Sequence, residues 1–127
     1  MTPYKVLIFG SRTWTDAEAI MRLINHLRAT HPNLIIVHGG HHSGADNRAR
    51  DICMHMLGVP QMAMFAAWRV LGNGAGPIRN QWMLDFNPDI AEAHGFRSHG
   101  TSNGTDDMQR RCEKAGLALT MHSEEAT

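Results

Sequence analysis

The sequence predicts an α/β domain of three layers, with a mostly parallel sheet of about five strands flanked by helices. Three observations predict it. Strand-like apolar runs alternate with amphipathic helical patterns along the whole chain, the order that gives right-handed crossovers and a parallel sheet. The first two runs, Val6-Leu7-Ile8-Phe9 and Leu34-Ile35-Ile36-Val37, are continuously apolar, as strands covered on both faces must be. Glycine and hydroxyl residues gather after the carboxyl ends of the strands, whereas the opposite loops, such as Thr30 to Asn33 and Leu57 to Pro60, are short and carry ordinary stop signals.

The elements follow in order. After the first strand, Thr15-Asp16-Ala17-Glu18 offers a capping box with Thr15 as N-cap, and Ile20, Leu23, Ile24 and Leu27 form one face of a helix. His31-Pro32-Asn33 breaks it. The second strand ends in His38-Gly39-Gly40, and Ser43 and Asp46 can cap a second helix with Ala45, Ala49, Ile52, Cys53 and Met56 inside. Gly58 is a natural residue to stop it. Gln61 to Phe65 reads as a weaker third strand. Pro77 suits the first position of a third helix, with Ile78, Trp82 and Phe86 as its inner face. Asp89 to His94 reads as a fourth strand with only alternate residues apolar. Thr105 can cap a helix through Ala115, with Asp106 and Asp107 in its first turn. Gly116 stops that helix, Leu117 to Met121 form the last strand, and residues 122–127 read as a frayed tail. The whole is one Rossmann-like domain, 1–127, without a linker, a repeat or a low-complexity block.

Composition sets bounds on function. The 127 residues suffice for one compact domain. Hydrophobic residues at 43% and charged residues at 19% describe a globular chain rather than a disordered one. Lys plus Arg equals Asp plus Glu, 12 against 12, which argues against duplex DNA and against an anionic membrane surface as partners. A small anion needs only a local positive site. Ten of the cations are Arg and only Lys5 and Lys114 are Lys; Arg suits bidentate phosphate recognition, and a high-GC genome gives the same bias. Cys53 and Cys112 read as buried free thiols in a reducing compartment. Only four apolar residues separate Lys5 from Gly10, so no signal peptide is expected, and no run approaches the roughly 20 residues that span a bilayer. The expected location is the cytoplasm.

In an open parallel sheet, ligands bind beyond the carboxyl ends of the strands. Four loops meet there: Gly10-Ser11-Arg12; His38 through Asp46; Trp68 through Asn80; and Gly95 through Thr105. Helix N-termini in such loops present free amides to an anion, and glycine lets an oxygen approach the backbone closely. Ser11, Ser43, Ser98, Thr101, Ser102 and Thr105 add hydroxyls, and Arg12 and Arg79 add charge from opposite loops. Capping alone explains Ser43 and Thr105 equally well, and surface pairing explains either Arg. It is the coincidence of four such loops on one rim that points to a site. The runs are neither a Gly-x-Gly-x-x-Gly dinucleotide motif nor a P-loop.

Nine histidines raise the question of a metal. His38, His41 and His42 share a loop, with His94 and His99 near neighbouring strand ends, but loop spacing carries no ligand geometry. No metal site is expected, and donation to a phosphate or a base is the better use of one or two of these rings. His26, His31, His55 and His122 are expected to face solvent. Trp82 reads as core. Trp68, on the rim, either stacks on a nucleobase or plugs the sheet edge; Trp14 can fold over the same pocket.

Gly10-Ser11-Arg12 with Asp16, His38-Gly39-Gly40 with Gly44-Ala45-Asp46, and Ala75 through Asn80 with Met83 together resemble the YspA/YpsA-related branch of the SLOG superfamily. Ser98, Gly100 and Asn103-Gly104-Thr105 look like its last glycine-rich element. The resemblance runs from Val6 to about Thr120, and the order of four motifs makes it specific. It implies a Rossmann-like fold and a nucleotide or nucleotide-derived ligand at the rim. Short members of this branch occur in bacteriophages and bacteria, so a phage origin is an expectation. The superfamily includes nucleotide-signalling sensors, a single-strand-binding DNA-processing protein and phosphoribohydrolases. The last share Pro-Gly-Gly-x-Gly-Thr-x-x-Glu, and Met108 stands where that Glu would be. Methionine can neither donate a proton nor stabilise an oxocarbenium ion.

The expected function is therefore binding of a phosphate-containing, nucleotide-derived small molecule, in a sensing, sequestering or processing role. Gly10, Ser11 and Arg12 would hold one anionic group. Gly39, Gly40, Ser43 and Gly44 would line the floor, and Asp46 would take a ribose hydroxyl or an amine. Arg79 and Asn80 would fix a second phosphate or the base, with Ser98, Gly100, Asn103, Gly104 and Thr105 closing the anion nest. A hydrolase or transferase acting on a nucleoside monophosphate or phosphoribosyl compound is the alternative, and single-stranded DNA binding is disfavoured by the charge balance. No cofactor is required. The Met-rich segment from Met54 to Phe65 suggests a homo-oligomer, although methionine on a buried strand explains it as well.

Overall fold

A computed structural model describes residues 2–41, 43–100 and 102–124, apart from the side chain of Trp68. Strands β1 (Tyr4–Gly10), β2 (Leu34–His38), β3 (Gln61–Ala63), β4 (Ile90–Arg97) and β5 (Leu119–Ser123) form one sheet in the order β3-β2-β1-β4-β5. Every pairing is parallel. Helices α1 (Ala17–Thr30) and α2 (Gly44–Asp51) cover one face; α4 (Ala75–Asp85) and α5 (Asn103–Lys114) cover the other. A short α3 (Trp68–Leu71) precedes α4. The predicted three-layer α/β architecture is the one observed.

β1 explains the layering. Val6 and Ile8 point into the cluster beneath α1 and α2, while Leu7 and Phe9 point into the cluster beneath α4 and α5. Alternate residues reach opposite faces of a strand, and both faces here are covered, so all four must be apolar. The chain winds leftward from β1 to β3 and rightward from β4 to β5. That reversal leaves a crevice at the carboxyl ends of β1 and β4.

Several local expectations are corrected. Asp16, not Thr15, caps α1, accepting from the Ala19 amide at 3.2 Å; Thr15 is held by Glu124 instead. α5 begins at Asn103 with Ser102 in the cap position, so Thr105 lies inside the first turn. α4 begins two residues before Pro77 and buries Ala75, Gly76, Asn80 and Met83. Its expected inner face is turned outward: Trp82 is 41% exposed and Phe86 67%. Apolar residues surround this helix on all sides, and small residues won the close contact with the site. Met54 and Met56, on a π-helical turn over Ile52–Leu57 that extends α2, are exposed, as are Met62 and Phe65, so Met56 does not belong to the core.

The alternation of β4 also has a reason. Glu92 and His94 pair with each other at 2.7 Å, and His94 Nδ1 lies 3.1 Å from His122 Nε2. Tyr4 donates its hydroxyl to Glu92 as well. His122 is no tail residue: it lies in β5, stacked on Phe96 at 4.5 Å. His31 is likewise stacked, on Tyr4 at 3.6 Å, whereas His26 and His55 are exposed as expected. Residues 125–127 lie outside the described residues. Cys53 and Cys112 are free and buried, and burial pushes both thiols up to about 12.

Candidate functional site

Gly10 ends β1 where only glycine fits. A Cβ there would overlap the Phe96 carbonyl and lie 2.8 Å from Ala45 Cβ. Ser11 then joins three elements. Its amide donates to Phe96 O at 2.8 Å, its carbonyl accepts from the Ala45 amide at 3.2 Å, and its hydroxyl oxygen accepts from the Ser98 amide at 3.1 Å. The Thr105 hydroxyl lies 3.5 Å from the same oxygen. Gly44 carries φ +69° beneath this loop, packed against the Ser11 and Arg12 backbone.

At the end of β2, His38 is fully buried. Its Nδ1 accepts from the Gly40 amide at 3.0 Å, which leaves the hydrogen on Nε2 to meet Gln61 Oε1 at 2.7 Å. This ring pins the Gly39-Gly40 turn. Asp46 sits behind the turn, 7% exposed, with Oδ2 accepting from the His41 amide at 3.2 Å. Burial raises its carboxyl above the ordinary range, opposed in part by the Arg79 charge.

Arg79 comes from α4. Its Nη1 donates to Gly39 O at 2.7 Å and its Nε to Asn80 Oδ1 at 3.0 Å. Burial lowers this guanidinium; Asp46 opposes the effect and Arg12 adds to it. Asn80 is buried and donates through Nδ2 to Asp107 Oδ2 at 3.0 Å. Burial pushes the Asp107 carboxyl up, but hydrogen bonds from Arg111 and Asn80 and the Arg111 and Arg110 charges outweigh it, holding the group below the ordinary range.

The last wall is the start of α5. Its first amides have no acceptor within the helix. Ser102 makes no capping bond with its side chain, and its hydroxyl donates to Thr105 Oγ1 at 2.6 Å. Beside it, Ser98 is 7% exposed and its Oγ has no hydrogen-bond partner among the described residues.

These walls enclose a cleft of about 540 Å³, within the usual range for small-molecule sites. Gly10, Ser11, Arg12, Gly39, Asp46, Arg79, Asn80, Ser98, Asn103, Gly104 and Thr105 line it. Gly40 and Gly44 instead shape the turns behind it, with Phe65 packed over Gly40. Ser43 bonds to His41, its hydroxyl 3.1 Å from Nδ1, and Gly100 occupies an exposed turn at φ +99°. The side chain of Trp68 lies outside the described residues, as do Thr101 and His42. Trp14 does not fold over the cleft; it is 3% exposed, edge-on to Phe96 at 5.1 Å.

Thr13, Asn73 and Met83 line the cleft without having been assigned to it, and Ser102, one of the expected rim hydroxyls, lines it as well. Ser102 was legible as the residue one turn ahead of Thr105; nothing in the sequence marked Asn73. Asp107 and Met108 both line it. Among the described residues, no three His, Cys, Asp or Glu side chains converge on a metal position. No described helix is long and apolar enough to cross a membrane.

Residues 4–70 match the family YAcAr, described as the YspA, cpYpsA-related SLOG family. The Gene 61 protein of Mycobacterium phage D29 is 32% identical over 119 residues, a span covering 91% of this chain and 93% of that protein. The chain belongs to this SLOG family. The family match includes the Gly10–Arg12 and His38–Asp46 loops. Arg79 and the Ser98–Thr105 loop lie beyond it, and their part in this SLOG cleft rests on the geometry.

Proposed function

We propose that the protein binds a nucleotide or another nucleotide-derived phosphate in this cleft. The observation that carries the reading is the start of α5. Ser102 makes no side-chain cap there, Asn103 and Gly104 are exposed, and both border the cleft that Arg12 and Arg79 also line. Phosphate oxygens are natural acceptors for the first amides of a helix. Arg12, in the loop after β1, and Arg79, on α4, supply positive charge to the same cleft. Asp46 is set to receive a ribose hydroxyl or an exocyclic amine. Membership of the SLOG family agrees with this class of ligand. Overall neutrality is no obstacle, because amides and two arginines serve a compact anion without a basic surface.

One observation favours a hydrolase or transferase as the second reading. Asp46 is pushed up and Asp107 down within one cleft, and carboxylates separated in this way divide acid and base roles in glycosyl chemistry. Met108, buried where the phosphoribohydrolases carry Glu, stands against it. Titration calorimetry with adenosine 5′-monophosphate and other mononucleotides, followed by chromatography of the incubated mixtures, separates the two. Binding without a released base is expected; release of the base establishes the enzyme, and absence of binding removes both. The exposed Met54, Met56, Met62 and Phe65 support self-association, which light scattering across concentration measures.

A further inference from the structure

The carboxylate of Glu124, just past β5, is bound by the segment between β1 and α1. Its Oε2 accepts from the Thr15 hydroxyl at 2.6 Å and from the Asp16 amide at 2.9 Å; the Thr15 amide lies 3.3 and 3.2 Å from the two oxygens. The Glu124 amide donates to the Arg97 carbonyl at 3.0 Å. One residue therefore ties the end of β4, next to Ser98, to the loop that starts with Ser11, Arg12 and Thr13. Those residues line the cleft, whereas Glu124 does not.

The loop is held at both ends. Ser11 is fixed by Phe96 O and the Ser98 amide. Trp14 donates Nε1 to Asp16 O at 2.8 Å and packs its edge on Phe96. Between these anchors Arg12 and Thr13 are exposed. A carboxylate facing backbone amides at a helix start is a charge-assisted contact that also suits the helix dipole. Since Thr15 is engaged by Glu124, the capping of α1 passes to Asp16.

We propose that Glu124 is a positioning residue for the cleft. Its carboxylate sets the course of Arg12 and Thr13 along the cleft wall, so the C-terminal strand governs how well that wall is formed. The inference rests on the cleft being the ligand site, but its first readout needs no ligand. Amide hydrogen exchange is measured on the full chain as wild type, Glu124→Ala, Glu124→Gln and Thr15→Val. In Glu124→Ala the amides of Trp14, Thr15 and Asp16 exchange about tenfold faster or more, as for loss of a charge-assisted contact, while those of β1 and β2 keep their protection. Glu124→Gln, with one acceptor left, falls between, and Thr15→Val shows a smaller local rise. Adenosine 5′-monophosphate and inorganic phosphate serve as probes by calorimetry, with affinity about fivefold weaker in Glu124→Ala. Unchanged exchange at Trp14, Thr15 and Asp16 overturns the proposal. So does a rise spread evenly over the chain, which marks a purely structural role, or equal affinity in wild type and variant. If the wild type binds neither probe, the nucleotide reading fails for these probes, and the positioning role is decided by exchange at Trp14 alone, whose amide closes the turn over Arg12 and Thr13 by donating to Ser11 O at 3.2 Å.

Discussion

Asn80 Nδ2 donates to Asp107 Oδ2 at 3.0 Å, tying α4 to α5 across the cleft, and Asn80 in turn accepts from Arg79. The bond helps to give the two cleft carboxylates opposite characters. Asp107 is held down, so its contribution to stability is present above the ordinary Asp range and is lost as pH falls through its lower folded value. Asp46 is held up by burial, so the fold prefers its neutral form, and stability declines as pH climbs through its raised value. Thermal melts from pH 3 to 8 should show Asp107→Asn losing stability at pH 7 and Asp46→Asn gaining it, with the ligand affinity of both reduced. The same direction of change in both variants would contradict the electrostatic account.

Two glycines separate site from scaffold. A Cβ on Gly39 meets the end of the Arg79 side chain, its Cζ at 2.7 Å, and Asp46 Oδ2 at 2.9 Å. Arg79 can swing aside, so Gly39→Ala should keep the melting temperature within a few degrees and weaken nucleotide binding about tenfold or more, as for loss of a charged hydrogen bond. A Cβ on Gly10 meets the Phe96 backbone, which cannot yield. Gly10→Ala should cost about 2–3 kcal/mol in urea unfolding. Equal stability of the two variants would argue against the packing described.

His122 gives the fold an acid-sensitive edge. Burial lowers its imidazole below the ordinary value of 6.5, and the His94 charge adds to the effect. A His with a depressed folded pKa contributes stability above its ordinary range and loses it as pH falls through the folded value. Melting temperature should therefore drop below pH 6.5, and His122→Phe, which keeps a ring against Phe96, should flatten that drop. An unchanged pH profile in the variant would count against it.

The outward face of α4 is open to a direct comparison. Met83 is 1% exposed and Trp82 41%. Met83→Ala should cost about 3 kcal/mol and Trp82→Ala about 1 kcal/mol, read from denaturant midpoints. The reverse order would restore Trp82 to the core.

β1, β2, α1 and the start of α2 were legible because doubly covered strands need unbroken apolar runs and long helices show their period. The rim was legible because tight turns at helix starts need glycine and hydroxyls. What escaped was non-local. Thr15 looks like a cap until Glu124 takes its hydroxyl, and no local pattern reports a partner 109 residues away. Glu92 and His94 look too polar for an inner strand, yet they satisfy each other. α4 carries apolar side chains all round, so hydrophobicity could not choose its face; the deciding residues are Ala75, Gly76 and Asn80, which pack because they are small or bonded. Asn73 reaches the cleft from a glycine turn that gives no positional signal.

Native mass spectrometry of the protein as purified, compared with its Arg79→Ala variant, tests the central claim most directly. The account predicts a bound mass matching a nucleotide-derived phosphate on the wild type and its loss from a still-folded variant. A wild-type chain that carries no such mass and takes up none from a mononucleotide mixture would contradict it, as would an adduct that survives the loss of Arg79.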